Sequence, residues 1–226
     1  MRVAVLGTGG VGQTLAAKVA SLGHEVMMGT RDVQESLART EAGWGAIPLS
    51  EWQAEHPDVN LGTFAEAAAH AEVIFNAVSG AGSLDALKSA GEENLDGKVL
   101  IDVANPLDFS RGMPPTLFVT NDDSLGEQIQ RAFPAARVVK SLNTVNAGVM
   151  VDPKQLAGGD HTMFVCGNDH NAKTDVTRIL MEWFGWTSVI DLGDIAGARG
   201  QEMLVALWLR LSIALGTPAV SLKVVQ

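Results

Sequence analysis

Short β-branched runs alternate with alanine-rich stretches through the first half of the chain. The alternating Arg2-Val3-Ala4-Val5-Leu6 predicts a first strand over Val3–Leu6. Glu25–Met28, Glu72–Val78, Lys98–Val103 and Arg137–Leu142 predict four more strands. Between them Gly10–Leu22, Phe64–Ala71, Leu84–Ala90 and Ser124–Phe133 read as helices. Strands separated by helices pair in parallel through right-handed crossovers, which place helices on both faces. The pattern therefore predicts an α/β chain with a doubly wound, mainly parallel sheet. Thr40 to Gly62, carrying Trp44, Pro48, Trp52 and Pro57, breaks the rhythm. It reads as a long loop with a short strand around Val59–Leu61.

A second unit begins near Asp152-Pro153. His161–Val165 and Ser188–Asp191 read as strands, and Asn171–Phe184 as a helix preceded by the capping residues Asn168 and Asp169. Ile195–Leu215 predicts a long final helix, apolar on nearly every side through Met203, Leu204, Leu207, Trp208, Leu211 and Leu215. Such a helix must be buried in a core or against a second subunit. The expected division is a first domain over 1–150 and a small C-terminal α/β extension over 151–226. An extension of that size covers little apolar surface by itself, so a two-fold homodimer through this helix is expected.

Gly7-Thr8-Gly9-Gly10-Val11-Gly12 fits G-x-G-x-x-G directly after a strand and directly before a helix, the context in which the pattern is meaningful. Gly7 permits the tight turn, Gly9 lets backbone approach a pyrophosphate, and Gly12 allows close helix–strand packing. The helix then aims its N-terminal N–H groups at the phosphates. This identifies a Rossmann-type dinucleotide fold. Which dinucleotide depends on the end of the second strand, where an NAD site wants an acid. Here the residues are Met28-Gly29-Thr30-Arg31. Gly29 stands in the place of the acid, Thr30 offers a hydroxyl, and Arg31 offers a planar cation suited to a 2′-phosphate. That favours NADP(H) unless Asp32 turns inward.

Composition narrows the field. Hydrophobic residues make up 46% and charged residues 19%, a globular balance rather than a disordered one. The net charge of −10 argues against nucleic acid or an anionic membrane as partner, so any anion site must be local. A lone Cys166 leaves no disulfide framework and fits a reducing compartment. Met1 leads straight into the first strand without signal-peptide features, and the apolar Met203–Leu215 is interrupted by Arg210. A cytoplasmic location is expected. With no tyrosine in the chain, the Tyr/Lys mechanism of short-chain dehydrogenases is excluded. His24, His56, His70, His161 and His170 show no ligand spacing, and no metal is expected.

The chain resembles the deazaflavin-dependent NADP reductases (NADPH:F-420 oxidoreductases) over nearly its whole length. The segments that carry the resemblance are Val5 to Gly12, Gly29-Thr30-Arg31, Asp102 to Leu107, Val139 to Thr144, and Val165 to Asp169. It implies a small C-terminal domain that closes a cleft, a deazaflavin or flavin stacked on the nicotinamide as second substrate, and dimers. By position, Thr8, Gly9, Gly10 and Val11 line the pyrophosphate, and Thr30 and Arg31 hold the 2′-phosphate. Ala77, Val78, Ser79 and Gly80 pass the nicotinamide ribose. Ala104, Asn105, Ser141, Leu142, Asn143 and Thr144 floor the nicotinamide and its partner. Asn143 stands where many archaeal members carry His.

Hydride transfer between stacked rings needs positioning and exclusion of water more than an acid–base pair. A carbonyl or imine reductase would need a placed proton donor. Lys140 with Asn143, three apart at a strand end, are the residues that could supply one; the other reading of Lys140 is a cation paired with a nearby acid. A non-catalytic NADP(H)-sensing regulator is the third alternative. Trp183 and Trp186 read as core, and Trp44 and Trp52 as parts of a lid over the cleft.

Overall fold

Val3 and Val5 face one side of the first strand, β1 (Arg2–Leu6), and pack with Leu15, Ala16 and Val19, while Ala4 and Leu6 face the other and pack with Phe64, Ala67 and Leu87. This alternation, which buries both faces of a strand, recurs through a computed structural model that describes residues 1–43 and 45–226. Trp44, expected in a lid, lies outside the described residues.

The further strands are β2 (Glu25–Thr30), β3 (Asn60–Thr63), β4 (Val73–Asn76), β5 (Val99–Asp102), the short pair β6 (Leu107–Asp108) and β7 (Thr116–Leu117), β8 (Arg137–Ser141), β9 (Met163–Cys166) and β10 (Val189–Asp191). The helices are α1 (Gly10–Ser21), α2 (Val33–Ala38), α3 (Leu49–Glu55), α4 (Phe64–His70), α5 (Gly80–Ala90), α6 (Glu92–Leu95), α7 (Leu125–Ala132), α8 (Ala147–Val151), α9 (His170–Ile179) and α10 (Ala198–Leu215). The main sheet has eight strands in the order β10-β9-β8-β5-β4-β1-β2-β3. From β8 to β3 every pair is parallel. Successive units are laid outward from β1 in both directions, so the winding reverses between β1 and β4. In doubly wound sheets that reversal opens the ligand crevice at the strands' carboxyl ends.

The expected Rossmann-type α/β fold is therefore present. Its C-terminal extension is built onto the same sheet, because β9 pairs antiparallel with β8 (Lys140↔Cys166, Ser141↔Val165) and β10 parallel with β9.

One local expectation is corrected, and two further elements are defined. The stretch Thr40–Gly62 contains helix α3, whose Leu49 and Trp52, three apart, are both 5% exposed and join the core. Trp52 is thus a core residue rather than part of a lid. α2 follows Asp32, whose side chain accepts from Glu35 N; six residues were too few to show a helical period. Finally, α10 buries only the stripe Ala198, Gln201, Glu202 and Val205, one helical face, within its own chain. Met203, Leu207, Ile213 and Leu215 remain 40%, 51%, 58% and 64% exposed. No helix of the described residues is long and apolar enough to cross a membrane.

Candidate active site

The glycine loop leaves β1 at the point where the winding reverses. Gly7 has φ 112°, and a Cβ there would lie 2.7 Å from the Ala77 carbonyl oxygen, so the loop after β4 passes hard against it. A Cβ on Gly12 would overlap the Gly7 carbonyl, whereas one on Gly9 would meet nothing within 4 Å. Gly7 and Gly12 are therefore demanded by the protein's own packing, and Gly9 opens onto free space. α1 starts at N-cap Gly9 with no side-chain cap and no acid in its first turn. α5, following β4, starts at Ser79 in the same condition. Two helix N-termini thus carry N–H groups suited to an anion. Gln13 fixes the segment before α3 to this loop: its Nε2 donates to the Ile47 and Thr8 carbonyls, and its Oε1 accepts from Ile47 N.

At the end of β2, Thr30 is buried with its hydroxyl 2.7 Å from that of Ser36 on α2. Arg31 is exposed. Asp32 does not turn inward; its carboxylate caps α2 by accepting from Glu35 N at 2.8 Å. The reading of Gly29 changes. A Cβ at Gly29 would lie 2.8 Å from Leu6 Cδ2 and 3.1 Å from Ala67 Cβ, inside the packed layer. Gly29 is needed for β1–β2–α4 packing.

At the other side of the crevice the strand ends carry one polar row. Asn76, Asp102, Lys140 and Cys166 are consecutive register partners across β4, β5, β8 and β9. Lys140 is 0% exposed. Its Nζ lies 2.8 Å from Asp102 Oδ2 and 2.9 Å from Glu202 Oε1, and also donates to the Ala104 carbonyl. Burial pushes the ammonium down, but the two carboxylates overturn this and hold its pKa above the ordinary lysine value. Asp102 also accepts from Asn76 Nδ2 and Ala104 N. Glu202 accepts from Leu125 N and Gly126 N at the start of α7, so the second negative charge meets a helix N-terminus. Arg199, one turn earlier on α10, grips Glu127 of α7 through Nε and Nη2 and holds that carboxyl below its usual range. Burial pushes the Cys166 thiol up to about 12, leaving it neutral.

The residues expected at the nicotinamide end divide accordingly. Ala77, Val78, Ser79 and Asn105 are at least partly exposed, and Gly80 packs against the Asn105 carbonyl. Ser141 and Leu142 are 0% exposed, and the Ser141 hydroxyl donates to Phe164 O of β9, so neither side chain faces the crevice. Leu142 holds φ 65°, a left-handed conformation that its buried side chain fixes at a cost of about 1–3 kcal/mol. Thr144 is 5% and Asn143 3% exposed. Asn143 and Asn105 are bonded reciprocally, Asn105 Nδ2 to Asn143 O at 2.8 Å and Asn143 Nδ2 to Asn105 Oδ1 at 2.9 Å. Of the two readings of Lys140, the structure agrees with the cation paired with acids: it is 0% exposed, and Asp102, Glu202 and the Ala104 carbonyl hold its ammonium.

A profile of the family described as NADP oxidoreductase, coenzyme F420-dependent, matches residues 2–106. The F420-dependent NADP reductase of Methanothermobacter marburgensis is 30% identical over 217 residues, covering 94% of this chain and 93% of that protein. The chain belongs to the coenzyme F420-dependent NADP oxidoreductase family. A crystal structure from Arthrobacter sp. FB24, provisionally described as an F420-dependent NADP-reductase, shares 57% identity over 100% of both chains with a TM-score of 0.96. The metalloreductase STEAP3 of Rattus norvegicus is 29% identical over 204 residues, 90% of this chain but 36% of that protein.

Membership makes this chain an NADP-dependent oxidoreductase. The geometry fits that cofactor: open space at Gly9, an uncapped α1, an exposed Arg31 and an acid occupied elsewhere. The sequence alone assigned no role to Asn76, Asp102, Ser36, Gln201 and Glu202. The available signals were an acid closing the apolar run Val99-Leu100-Ile101 and a lone Glu among the apolar positions of the last helix.

Replacing Gly29 by Asp tests the corrected reading. The variant should lose about 2 kcal/mol or more of stability, from overpacking and a buried carboxylate, without gaining NADH affinity. Urea denaturation and cofactor titration check both halves; a stable variant preferring NADH would restore the original reading.

Proposed function

We propose that this enzyme moves a hydride between NADP(H) and a deazaflavin of the F420 type, or a flavin-like ring, stacked on the nicotinamide. The observation that carries this reading is that, among the described residues, the side chains that sequence reasoning offered as proton donors are enclosed or engaged. Lys140 is enclosed, Asn143 is locked to Asn105, the Cys166 thiol is neutral and covered, and the chain has no tyrosine. A ring-to-ring transfer needs alignment and exclusion of water rather than a placed acid. Bound NADPH supplies the hydride. Thr8 to Val11 hold the pyrophosphate, Thr30 and Arg31 the 2′-phosphate, and Ala77 to Gly80 the nicotinamide ribose. Ala104 and Asn105 form the floor, supported by Ser141 to Thr144. Residues 1–150 carry the nucleotide, 151–226 close the cleft, and the enzyme works in the cytoplasm.

The exposed apolar side of α10 supports a homodimer. Leu207 and Ile213 stand out from a helix whose opposite stripe is already buried, and a second copy of α10 across a two-fold axis covers them.

NADPH oxidation should proceed on adding a deazaflavin and not on adding small imines or carbonyl compounds; oxidation by the latter alone overturns the proposed acceptor. NADPH should bind at least about tenfold more tightly than NADH, since a charged Arg–phosphate contact contributes roughly 1.5–3 kcal/mol. Arg31→Ala should erase most of that difference in parallel titrations and leave NADH binding nearly unchanged. Light scattering should give a dimeric mass for the native protein and a monomeric one for Leu207→Glu; a native monomer at all concentrations removes the dimer.

A further inference from the structure

We propose that Lys140, with Asp102 and Glu202, is a positioning residue: it sets the height of the Ala104–Asn105 floor beneath the nicotinamide and ties that floor to the seating of α10. The inference rests on the reading that this segment underlies the nicotinamide.

The peptide groups of Ala104 are held from both sides. The Ala104 N–H donates to Asp102 Oδ1 at 3.2 Å, and the Ala104 carbonyl accepts from Lys140 Nζ. Lys140 is in turn held by Glu202 of α10, whose two oxygens are pinned by Leu125 N and Gly126 N. A second tether arrives from the neighbouring α10 residue. The Gln201 carbonyl accepts from Asn143 Nδ2 at 3.2 Å, and the same nitrogen donates to Asn105 Oδ1. Adjacent residues of one helix therefore reach adjacent residues of the floor by separate routes. The floor has little slack to absorb a shift, because the Asn105 carbonyl already abuts Gly80 of the facing loop.

Stability alone does not account for this arrangement. Apolar side chains of similar volume often replace a buried ion cluster without loss of stability. What they cannot supply is directed bonds to the two peptide groups that flank Ala104, which hold it as a unit. Displacement of a reacting ring by about 1 Å can cost on the order of a hundredfold in rate, so fixing that unit has a functional consequence.

The test uses full-length Glu202→Gln, which keeps side-chain shape and leaves a neutral Lys140–Asp102 pair. Two quantities are compared with the native protein: affinity for 2′,5′-ADP, which lacks the nicotinamide, and the fluorescence lifetime of the nicotinamide in bound NADPH. A positioning role predicts 2′,5′-ADP affinity within about twofold of native together with a lifetime shifted toward that of free NADPH. A folded variant with the native lifetime overturns the proposal. The apolar replacement Lys140→Met/Asp102→Leu/Glu202→Leu gives a second arm, with the same two expected results. If neither variant folds, the cluster is a stability element only and the proposal fails. Native protein that binds neither 2′,5′-ADP nor NADPH overturns the site reading itself, and the clamp with it.

Discussion

Lys140 places a full positive charge where no water reaches, and the carboxyl end of the sheet is organised around that charge. An ammonium so enclosed requires compensating carboxylates, and a cluster with two of them requires donors for the excess negative charge. Asp102 lies beside it in register on β5, and Glu202 descends from α10. Asn76, the Ala104 amide and the α7 N-terminus meet the oxygens that remain. Each requirement recruits another element, so β4, β5, β8, α7 and α10 are joined through one buried polar network. Removing Lys140 alone strands two buried carboxylates and costs about 3–5 kcal/mol by the general behaviour of buried pairs.

The crevice has two ends of different character. At the β1–β2 end the ligand-facing groups are backbone N–H donors and an exposed guanidinium, suited to phosphates that stay charged throughout. At the β5–β8 end the polar side chains are turned inward and bonded to one another. The first end suits the phosphates of NADP, the cofactor of this family.

What the sequence disclosed depended on the range of the constraint. Gly7, Gly9 and Gly12 were readable because their tasks are local: a turn, an open approach and a helix–strand contact, all within one loop. The parallel order followed from the alternation of strands and helices. Lys140 was harder, since a strand-end lysine looks alike whether it meets solvent or an acid 38 residues away. Gly29 misled because its missing side chain was assigned to the ligand side, although strand parity pairs it with Leu6, which faces α4. Helix α3 was hidden by prolines on either side of a single buried pair, Leu49 and Trp52. The final helix was rightly read as apolar all round, but within the chain only one stripe of it is covered.

The most direct measurement is a crystal structure of the protein with NADP bound. The account predicts the pyrophosphate on the N–H groups of Gly9, Gly10 and Val11, the 2′-phosphate against Thr30 and Arg31, and the nicotinamide over Ala104 and Asn105 with Lys140 still enclosed. A dinucleotide bound in the reverse direction, or an exposed Lys140 ammonium touching the nicotinamide, would contradict it.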